Sequence, residues 1–295
     1  MGILKMSSSI SLFIILLTME FAICCCGKNS SFGCIPRERK ALLKFKASLL
    51  DISNRLSSWD DYKDCCVWDG VKCDKTTGHV IGLDLRNSNT SSYEMFLQTQ
   101  GNQLDSSLLE LKYLSYLDLS YNDFQLGPIP SFLGSMKQLR YLNLSATNFN
   151  GIVPHDLWSN LINHLPRNIG HMMPLLELFA WSQNSINGSI PESLCEMKAL
   201  RNLDLSNNYF FGTIPDCWEN SQDLLVMRLS SNELSGIIPN SIGGAYSLQW
   251  LRLNNNSLIR QLPSSLKNCT NLELIDVGEN KLSGTLPRMD WKRLA

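Results

Sequence analysis

Five prolines recur every 24 residues in the last third of the chain, and an asparagine stands seven residues before each of them. The pairs are Asn184 and Pro191, Asn208 and Pro215, Asn232 and Pro239, Asn256 and Pro263, and Asn280 and Pro287. A period this strict is typical of a solenoid, in which each repeat packs only against its neighbours. The spacing therefore predicts stacked coils with a continuous binding surface, and it does not imply a pocket of catalytic groups.

The residues before each asparagine follow the pattern L-x-x-L-x-L-x-x-N, as in Leu200, Leu203, Leu205 and Asn208. Alternation over L-x-L predicts a short strand whose leucines enter the core, while the intervening residues face the concave side. The asparagine amide can bond to backbone groups of its own coil and of the neighbouring coil. The pattern predicts a leucine-rich-repeat solenoid of the α/β repeat class, with a curved parallel sheet on its concave side.

A second pattern, L-x-G-x-I-P, follows the asparagines, as in Leu234, Gly236, Ile238 and Pro239. Glycine permits a backbone bend that other residues resist, and proline fixes the next φ angle. Arg260 departs from the pattern, since it stands at the glycine position. A sandwich or barrel with regular turns would also be punctuated by glycine and proline, but it does not account for five repeats in phase.

The repeats before residue 155 are less regular than the five 24-residue repeats that we assign to 173–288. In 78–154 a first strand is expected at 80–85, and the pattern returns at 114–122 and at 139–147, where Thr147 takes the asparagine position.

From Thr147 to Asn184 is 37 residues, one repeat plus 13. This excess falls at 161–172, within an irregular insertion or degenerate repeat at 155–172. Because both flanking repeats keep their own strands, we expect the excess to form a non-repetitive excursion on the convex side. The parallel sheet should then continue directly from the Leu142 strand to the strand at 179–181.

The first 26 residues have the pattern of a secretory signal peptide, with a basic start, an apolar run at 10–17 and small residues before Gly27. No later apolar run approaches the ~20 residues that a membrane span needs. The formal net charge is −1, with both signs scattered along the repeats. This balance indicates neither a nucleic-acid partner nor an acidic-membrane partner.

Ten cysteines fit an oxidising compartment. Four of them lie in an amino-terminal cap at 27–77, around a helix expected over 37–50. One face of that helix carries Ala41, Leu42, Phe45 and Leu49. A zinc site is the competing interpretation, but the C-C-x6-C spacing lacks the close cysteine pair that such sites use. Spacing and the need to cover the first coil favour two disulfides, Cys34–Cys65 and Cys66–Cys73.

Three later cysteines and six sequons complete the secretory features. Cys195 and Cys217 lie in successive repeats just beyond the Ile-Pro tail, which predicts a third disulfide, whereas Cys269 falls in an apolar column and should be a free, buried thiol. The sequons are Asn29, Asn89, Asn143, Asn187, Asn255 and Asn268. Asn143 lies on the concave side of a strand, so a glycan there would restrict access of a ligand.

The cap and the repeats carry stretches that together are specific for one family. They are Cys34-x3-Glu38-Arg39-x-Ala41-Leu42-Leu43-x-Phe45-Lys46, Leu56-Ser-Ser-Trp59, Asp64-Cys65-Cys66-x-Trp68-x-Gly70-Val71-x-Cys73, Leu117-Asp-Leu-Ser-Tyr-Asn122 and the L-x-G-x-I-P tails. These stretches resemble the plant leucine-rich-repeat receptor-like proteins of disease resistance and development. The resemblance implies an extracellular horseshoe or superhelix that senses microbial or endogenous ligands and signals through partner kinases.

The chain departs from that family at its carboxy terminus. Family members usually have many more repeats, a second cysteine cap, one membrane helix and a short cytoplasmic tail, whereas eight residues follow Pro287 here. We therefore expect a truncated member that ends at 289–295. As it stands it should be secreted, although family members are single-pass proteins of the plasma membrane.

The expected function is ligand recognition in plant immunity or development, with a peptide, protein or glycan on the concave face and a co-receptor kinase or full-length receptor-like protein as partner. Aromatic residues and arginines dominate recognition hot spots, and Trp250 is the best single candidate. The candidate contacts are Tyr116, Asp118, Tyr121, Tyr141, Arg201, Asp204, Arg228, Trp250 and Arg252.

The alternative is a secreted polygalacturonase-inhibitor-like protein that blocks a microbial wall-degrading enzyme, although the missing carboxy-terminal cap argues against it. Catalysis is not expected, because the sequence has no Ser/Cys-His-Asp pattern, phosphate loop or kinase signature. The four histidines, His79, His155, His164 and His171, fall in the cap junction or in irregular loops. No catalytic, cofactor-binding or metal site is expected.

Overall fold

The computed structural model describes residues 33–88, 96–100, 104–125, 127–152 and 168–284. The predicted signal peptide at 1–26, the sequons Asn29 and Asn89, and the end of the chain at 289–295 lie outside these ranges. Within them the chain is a leucine-rich-repeat solenoid with a disulfide-bonded cap, which confirms the predicted fold class. No helix in the described ranges has the length and apolar character needed to cross a bilayer.

The cap begins with helix α1, Pro36–Ala47, which buries Ala41, Leu42 and Phe45. This helix is shorter than expected. The hydroxyl of Ser48 donates a hydrogen bond to the Phe45 carbonyl, and the chain then becomes extended in β1, Leu49–Leu50, which pairs antiparallel with β4, Gln98–Thr99. Leu49 is still buried, so the predicted apolar face is kept by a strand instead of a last helical turn.

The concave sheet has nine strands. The first, β2 (Val71–Cys73), pairs antiparallel with β3 (Val80–Asp84), and all the later strands are parallel. They are β5 (Tyr116–Asp118), β6 (Tyr141–Asn143), β8 (Leu178–Ala180), β10 (Asn202–Asp204), β12 (Val226–Arg228), β14 (Trp250–Arg252) and β16 (Leu274–Asp276). From β5 to β14 the central residue of each strand is buried in the core in register with its neighbours, as Leu203 is between Phe179 and Met227.

A second sheet of six parallel strands forms just after the repeat asparagines. Its strands are β7 (Asn150–Ile152), β9 (Ser185–Ser189), β11 (Tyr209–Thr213), β13 (Glu233–Gly236), β15 (Ser257–Arg260) and β17 (Lys281–Leu282). We call this second sheet the outer sheet. Short 3₁₀ helices, such as Glu192–Glu196 and Asn240–Gly244, begin directly after the repeat prolines and return the chain to the concave sheet.

The repeat asparagines link neighbouring coils. The Asn208 amide nitrogen donates to the carbonyl of Trp181 in the preceding coil, at 2.9 Å, and its oxygen accepts from the Ile186 amide, at 3.0 Å. Thr147, which stands at the asparagine position of its repeat, makes only some of these hydrogen bonds. Its hydroxyl donates to the Leu144 carbonyl of its own coil, at 2.6 Å, and no bond from its side chain to the preceding coil occurs among the described residues.

The concave sheet continues from β6 to β8, with Leu142 opposite Phe179, which confirms that prediction. The described end of 161–172 adds no strand, in line with the prediction, but its last four residues are not a non-repetitive excursion. Helix α2, Ile169–Met172, has Ile169 and Gly170 buried, and a Cβ on Gly170 would lie 1.8 Å from the Ser193 carbonyl oxygen. These residues therefore pack in the stack of 3₁₀ helices, and 153–167 lie outside the described residues.

The glycine of the L-x-G-x-I-P tail adopts the left-handed conformation, as at Gly236 with φ +77°. Arg260 has the same conformation, with φ 65°, although it is not glycine. Side chains resist this region because Cβ approaches the backbone. The repeat with Arg260 in place of glycine therefore keeps the same turn.

Candidate functional site

The candidate ligand-binding surface consists of the side chains that flank the inward residue of each concave strand. Register places Tyr116 beside Tyr141, and Arg228 beside Arg252. Between them lie β8 and β10, whose outward residues at this level include the small Ala180. The structure thus brings seven of the nine predicted contacts together in two groups, which we call the tyrosine cluster and the arginine–tryptophan cluster, and it leaves Tyr121 and Arg201 outside them.

The tyrosine cluster contains Tyr116, Asp118, Tyr141 and Asn143. The two tyrosine rings stack with centroids 4.1 Å apart and 17° between their planes. The Tyr141 hydroxyl donates to Asp118 Oδ2 at 3.1 Å, and the Asn143 amide nitrogen donates to the same oxygen at 3.2 Å. Burial, followed by the Asp118 charge, raises the pKa of Tyr141, so this phenol stays protonated and remains a donor.

Asp118 does not have the exposure expected of a ligand contact. Asp118 is completely buried, because the two tyrosines cover it. Its Oδ1 accepts hydrogen bonds from the Ser120 amide, at 3.0 Å, and from the Ser120 hydroxyl, at 2.6 Å. Asp118 therefore holds the tyrosine cluster in place from below, and it does not face a ligand.

Arg86 is a member of this surface that the sequence analysis missed. Its guanidinium forms an ion pair with Asp84 and donates to the Tyr116 hydroxyl at 2.9 Å. The repeat pattern offered a signal, since Arg86 stands one residue after Leu85, just as Ser120 stands one residue after Leu119. The tyrosine cluster is therefore bordered by an exposed ion pair between Arg86 and Asp84.

Tyr121 lies beyond the end of β5. It has φ 55° and is 39% exposed. Residues just before the repeat asparagines share this left-handed conformation, including Asn207, Ser231 and Asn255. Tyr121 therefore lies at the rim of the concave face, outside the row of strand side chains.

The arginine–tryptophan cluster contains Asp204, Arg228, Trp250, Arg252 and Glu273. The Arg228 guanidinium lies 5.3 Å from the Trp250 ring centroid and 3.6 Å from the Asp204 carboxylate. The Trp250 indole nitrogen donates to Glu273 at 3.4 Å. A cation over an aromatic face is attracted by the ring quadrupole, so Arg228 and Trp250 hold each other in place.

Arg252 differs from Arg228 in that no described residue forms an ion pair or a side-chain hydrogen bond with it, and its Nε is buried without an acceptor. A buried donor without a partner costs about 1–3 kcal/mol. Arg201, which precedes β10, is exposed and lies outside the strand.

The structure contains disulfides at the three predicted pairs, Cys34–Cys65, Cys66–Cys73 and Cys195–Cys217. Cys269 is a buried free thiol, and burial raises its pKa to about 11. Side-chain ligand atoms of Cys34, Asp64, Cys65 and Cys66 lie within 4.8 Å of one another. Zinc binds thiolate sulfur, and these cysteines are disulfide-bonded, so this group does not offer such ligands.

Glu38 is a second residue whose role the sequence did not reveal. It is buried, and its carboxylate accepts from the Val80 amide at 2.7 Å and lies 2.8 Å from His79 Nδ1. This pair joins α1 to the first strand of the solenoid. Glu38 and His79 therefore connect the cap to the repeats, and they belong to neither cluster of the concave face.

The described sequons differ in environment. Asn143 is engaged in the tyrosine cluster, as above. Asn187 is partly buried on β9, while Asn255 and Asn268 are exposed. Asn255 donates to the Ser231 hydroxyl at 3.1 Å. Their occupancy remains a prediction.

Two family models match the sequence. The Leucine rich repeat N-terminal domain matches residues 35–74. The Leucine Rich Repeat model matches 113–136, 138–161, 199–221, 223–245 and 247–269.

Among characterised proteins, the chain is similar to the receptor-like protein EIX1 of Solanum lycopersicum, with 40% identity over 203 residues. The alignment covers 60% of this chain and 20% of EIX1. The chain therefore spans about a fifth of the length of that relative.

Two solved ectodomains have the same fold. The PEPR1–AtPEP1 crystal structure superposes with a TM-score of 0.70 and 30% identity, over 85% of this chain and 32% of that one. The Arabidopsis receptor kinase HAESA, in complex with the peptide hormone IDA and the co-receptor SERK1, gives a TM-score of 0.65 and 27% identity, over 86% and 43% of the two chains.

Proposed function

As the chain belongs to the leucine-rich-repeat receptor-like proteins of plants, we propose that it recognises an extracellular ligand on its concave face and acts through a partner receptor. The observation that carries this proposal is the state of Arg252. Arg252 lies on the same concave strand as Trp250 and is partly exposed, and no described residue forms an ion pair with it. A partly exposed cation without a counter-charge is available to an anionic group of a ligand.

The arginine–tryptophan cluster has the composition of a recognition hot spot. Trp250 is 36% exposed, and its contacts with Arg228 and Glu273 restrict its rotation before a ligand arrives. Pre-ordering a side chain reduces the entropy that binding must overcome. Tryptophan and arginine are the residues whose truncation most often weakens an interface.

The tyrosine cluster supplies a second contact region on the same face. One β-strand, β8, separates it from β10, which carries Asp204 and is the first strand of the arginine–tryptophan cluster. Neighbouring strands lie about 4.8 Å apart, so a ligand that touches both clusters must extend across several repeats. An extended peptide or a protein segment fits this requirement, and a glycan chain is the alternative.

The similar ectodomains support a peptide ligand and a signalling partner. HAESA is seen with a peptide hormone and a co-receptor, and PEPR1 with AtPEP1. By analogy we propose a peptide ligand and a co-receptor kinase or full-length receptor-like protein for this chain, in immunity or development.

The test uses the full chain secreted from plant cells and arrays of synthetic peptides and of wall oligosaccharides as probes. A Trp250→Ala, Arg252→Ala variant should bind the selected probe at least about tenfold more weakly, since truncation of a hot-spot residue costs 2 kcal/mol or more. Lys198→Ala, Lys267→Ala is the matched control, because both lysines are exposed outside the concave strands. Unchanged binding by the concave variant, or loss in the control alone, contradicts the surface assignment.

A further inference from the structure

The outer sheet carries two exposed aromatic side chains beside a sequon. Tyr209 is 52% exposed and Phe211 is 41% exposed, while Phe210 between them is buried. In the neighbouring strand β9, Asn187 is the register partner of Tyr209 and Ser189 is the partner of Phe211. Asn187 and Ser189 are the first and third residues of the sequon, so its acceptor lies directly beside the aromatic pair.

The Asn187 side chain is oriented for modification. Its Oδ1 is buried without a hydrogen-bond partner, so the amide nitrogen is the polar atom that faces solvent. Asn143 is the contrast within this chain, because its amide nitrogen donates to the buried Asp118. A glycan on Asn143 would disturb the tyrosine cluster, whereas a glycan on Asn187 breaks no hydrogen bond of the described residues.

We propose that Asn187 carries an N-linked glycan whose first sugars pack on Tyr209 and Phe211. The Asn187 amide nitrogen attacks the anomeric carbon of an oligosaccharide linked to a lipid diphosphate. A nitrogen–carbon bond forms, the bond from that carbon to the diphosphate oxygen breaks, and the amide proton leaves with the released lipid diphosphate. The secretory oligosaccharyl transfer machinery supplies this donor.

A sugar fits this patch better than a protein partner does. The patch is two side chains wide and is bordered by polar residues, since Phe211 is the register partner of Glu233 and Thr213 that of Ser235. Stable protein interfaces bury about 800 Å² on each side, which is far more than two side chains offer. A sugar ring is of matching size and presents C–H groups to the aromatic rings and hydroxyls to water.

The proposal is tested on the full chain secreted from plant cells. Glycopeptide mass spectrometry should find Asn187 occupied, and an unmodified Asn187 overturns the proposal. Contact is then measured by a double-mutant cycle of Asn187→Gln with Tyr209→Ala, Phe211→Ala, which creates no new sequon. Asn187→Gln should lower Tm by about 2 °C, the shift expected for a contact of roughly 1 kcal/mol, and this effect should vanish in the alanine background.

Tyr246→Ala is the matched control, because Tyr246 is 50% exposed and lies outside the outer sheet. The cycle of Asn187→Gln with Tyr246→Ala should be additive. If Asn187→Gln is not secreted, the wild-type glycoprotein is trimmed enzymatically instead. Removal of the whole glycan should increase binding of an apolar dye about twofold or more, and trimming to the first sugar should not. Equal Tm effects in both backgrounds, or dye binding unchanged by complete removal, overturn the contact.

Discussion

Replacing Asn208 by alanine tests the bonds that hold the coils together. Its amide nitrogen donates to the carbonyls of Trp181, Leu205 and Ser206, and its oxygen accepts from the Ile186 amide. Asn208 is 6% exposed, so water cannot easily replace these bonds. Each such bond contributes about 1 kcal/mol net, and a buried group left unpaired costs about 1–3 kcal/mol. We therefore expect Asn208→Ala to lower the free energy of unfolding by ~3 kcal/mol.

Thermal unfolding followed by circular dichroism measures this loss, which corresponds to a fall in Tm of about 6–12 °C. Asn202→Ala is the matched control, because Asn202 lies on the concave face of the preceding strand and forms no side-chain hydrogen bond with the described residues; it should change stability by less than about 0.5 kcal/mol. Asn208→Thr should fall between the two, because the Thr147 hydroxyl bonds to its own coil and to Asn184 of the next coil but to no described residue of the preceding coil. Equal Tm values for Asn208→Ala and Asn202→Ala would refute the reasoning.

Three further outcomes are expected. Cys34→Ser opens a bridge between residues 31 apart and should cost ~3 kcal/mol, seen as reduced secretion; wild-type yield would contradict this. Gly236→Ala should destabilise the protein by about 1–2 kcal/mol, because Gly236 has φ +77° and an added Cβ would lie 2.9 Å from Thr213. Thermal unfolding should show this loss as a lower Tm, whereas Arg260→Ala should leave Tm nearly unchanged. Since burial raises the pKa of Cys269 to about 11, its thiol stays protonated at pH 8, and iodoacetamide should label it, by mass spectrometry, only after unfolding.

The repeat pattern alone was enough to predict the concave strands, because a period of two decides which residue of each strand enters the core. Leu142 and Phe179 are paired as their positions in the pattern required. The hydrogen bonds of the repeat asparagines were also predictable, because each of these bonds joins residues of the same coil or of two adjacent coils. The early end of α1 at Ala47 was not predictable, because it depends on the pairing of β1 with a strand 49 residues later in sequence.

The candidate site was only partly readable from the sequence. The pattern places Asp118 and Asp204 in equivalent positions, yet Asp118 is completely buried and Asp204 is not. The difference arises from the neighbouring coils, which bring Tyr141 and Asn143 over Asp118. Likewise, the Asp204 carboxylate and the Trp250 ring lie against Arg228, whereas no described side chain pairs with Arg252. Sequence periodicity determined which side of the sheet each residue faces, while tertiary packing decided exposure and charge pairing, because both depend on side chains from other coils.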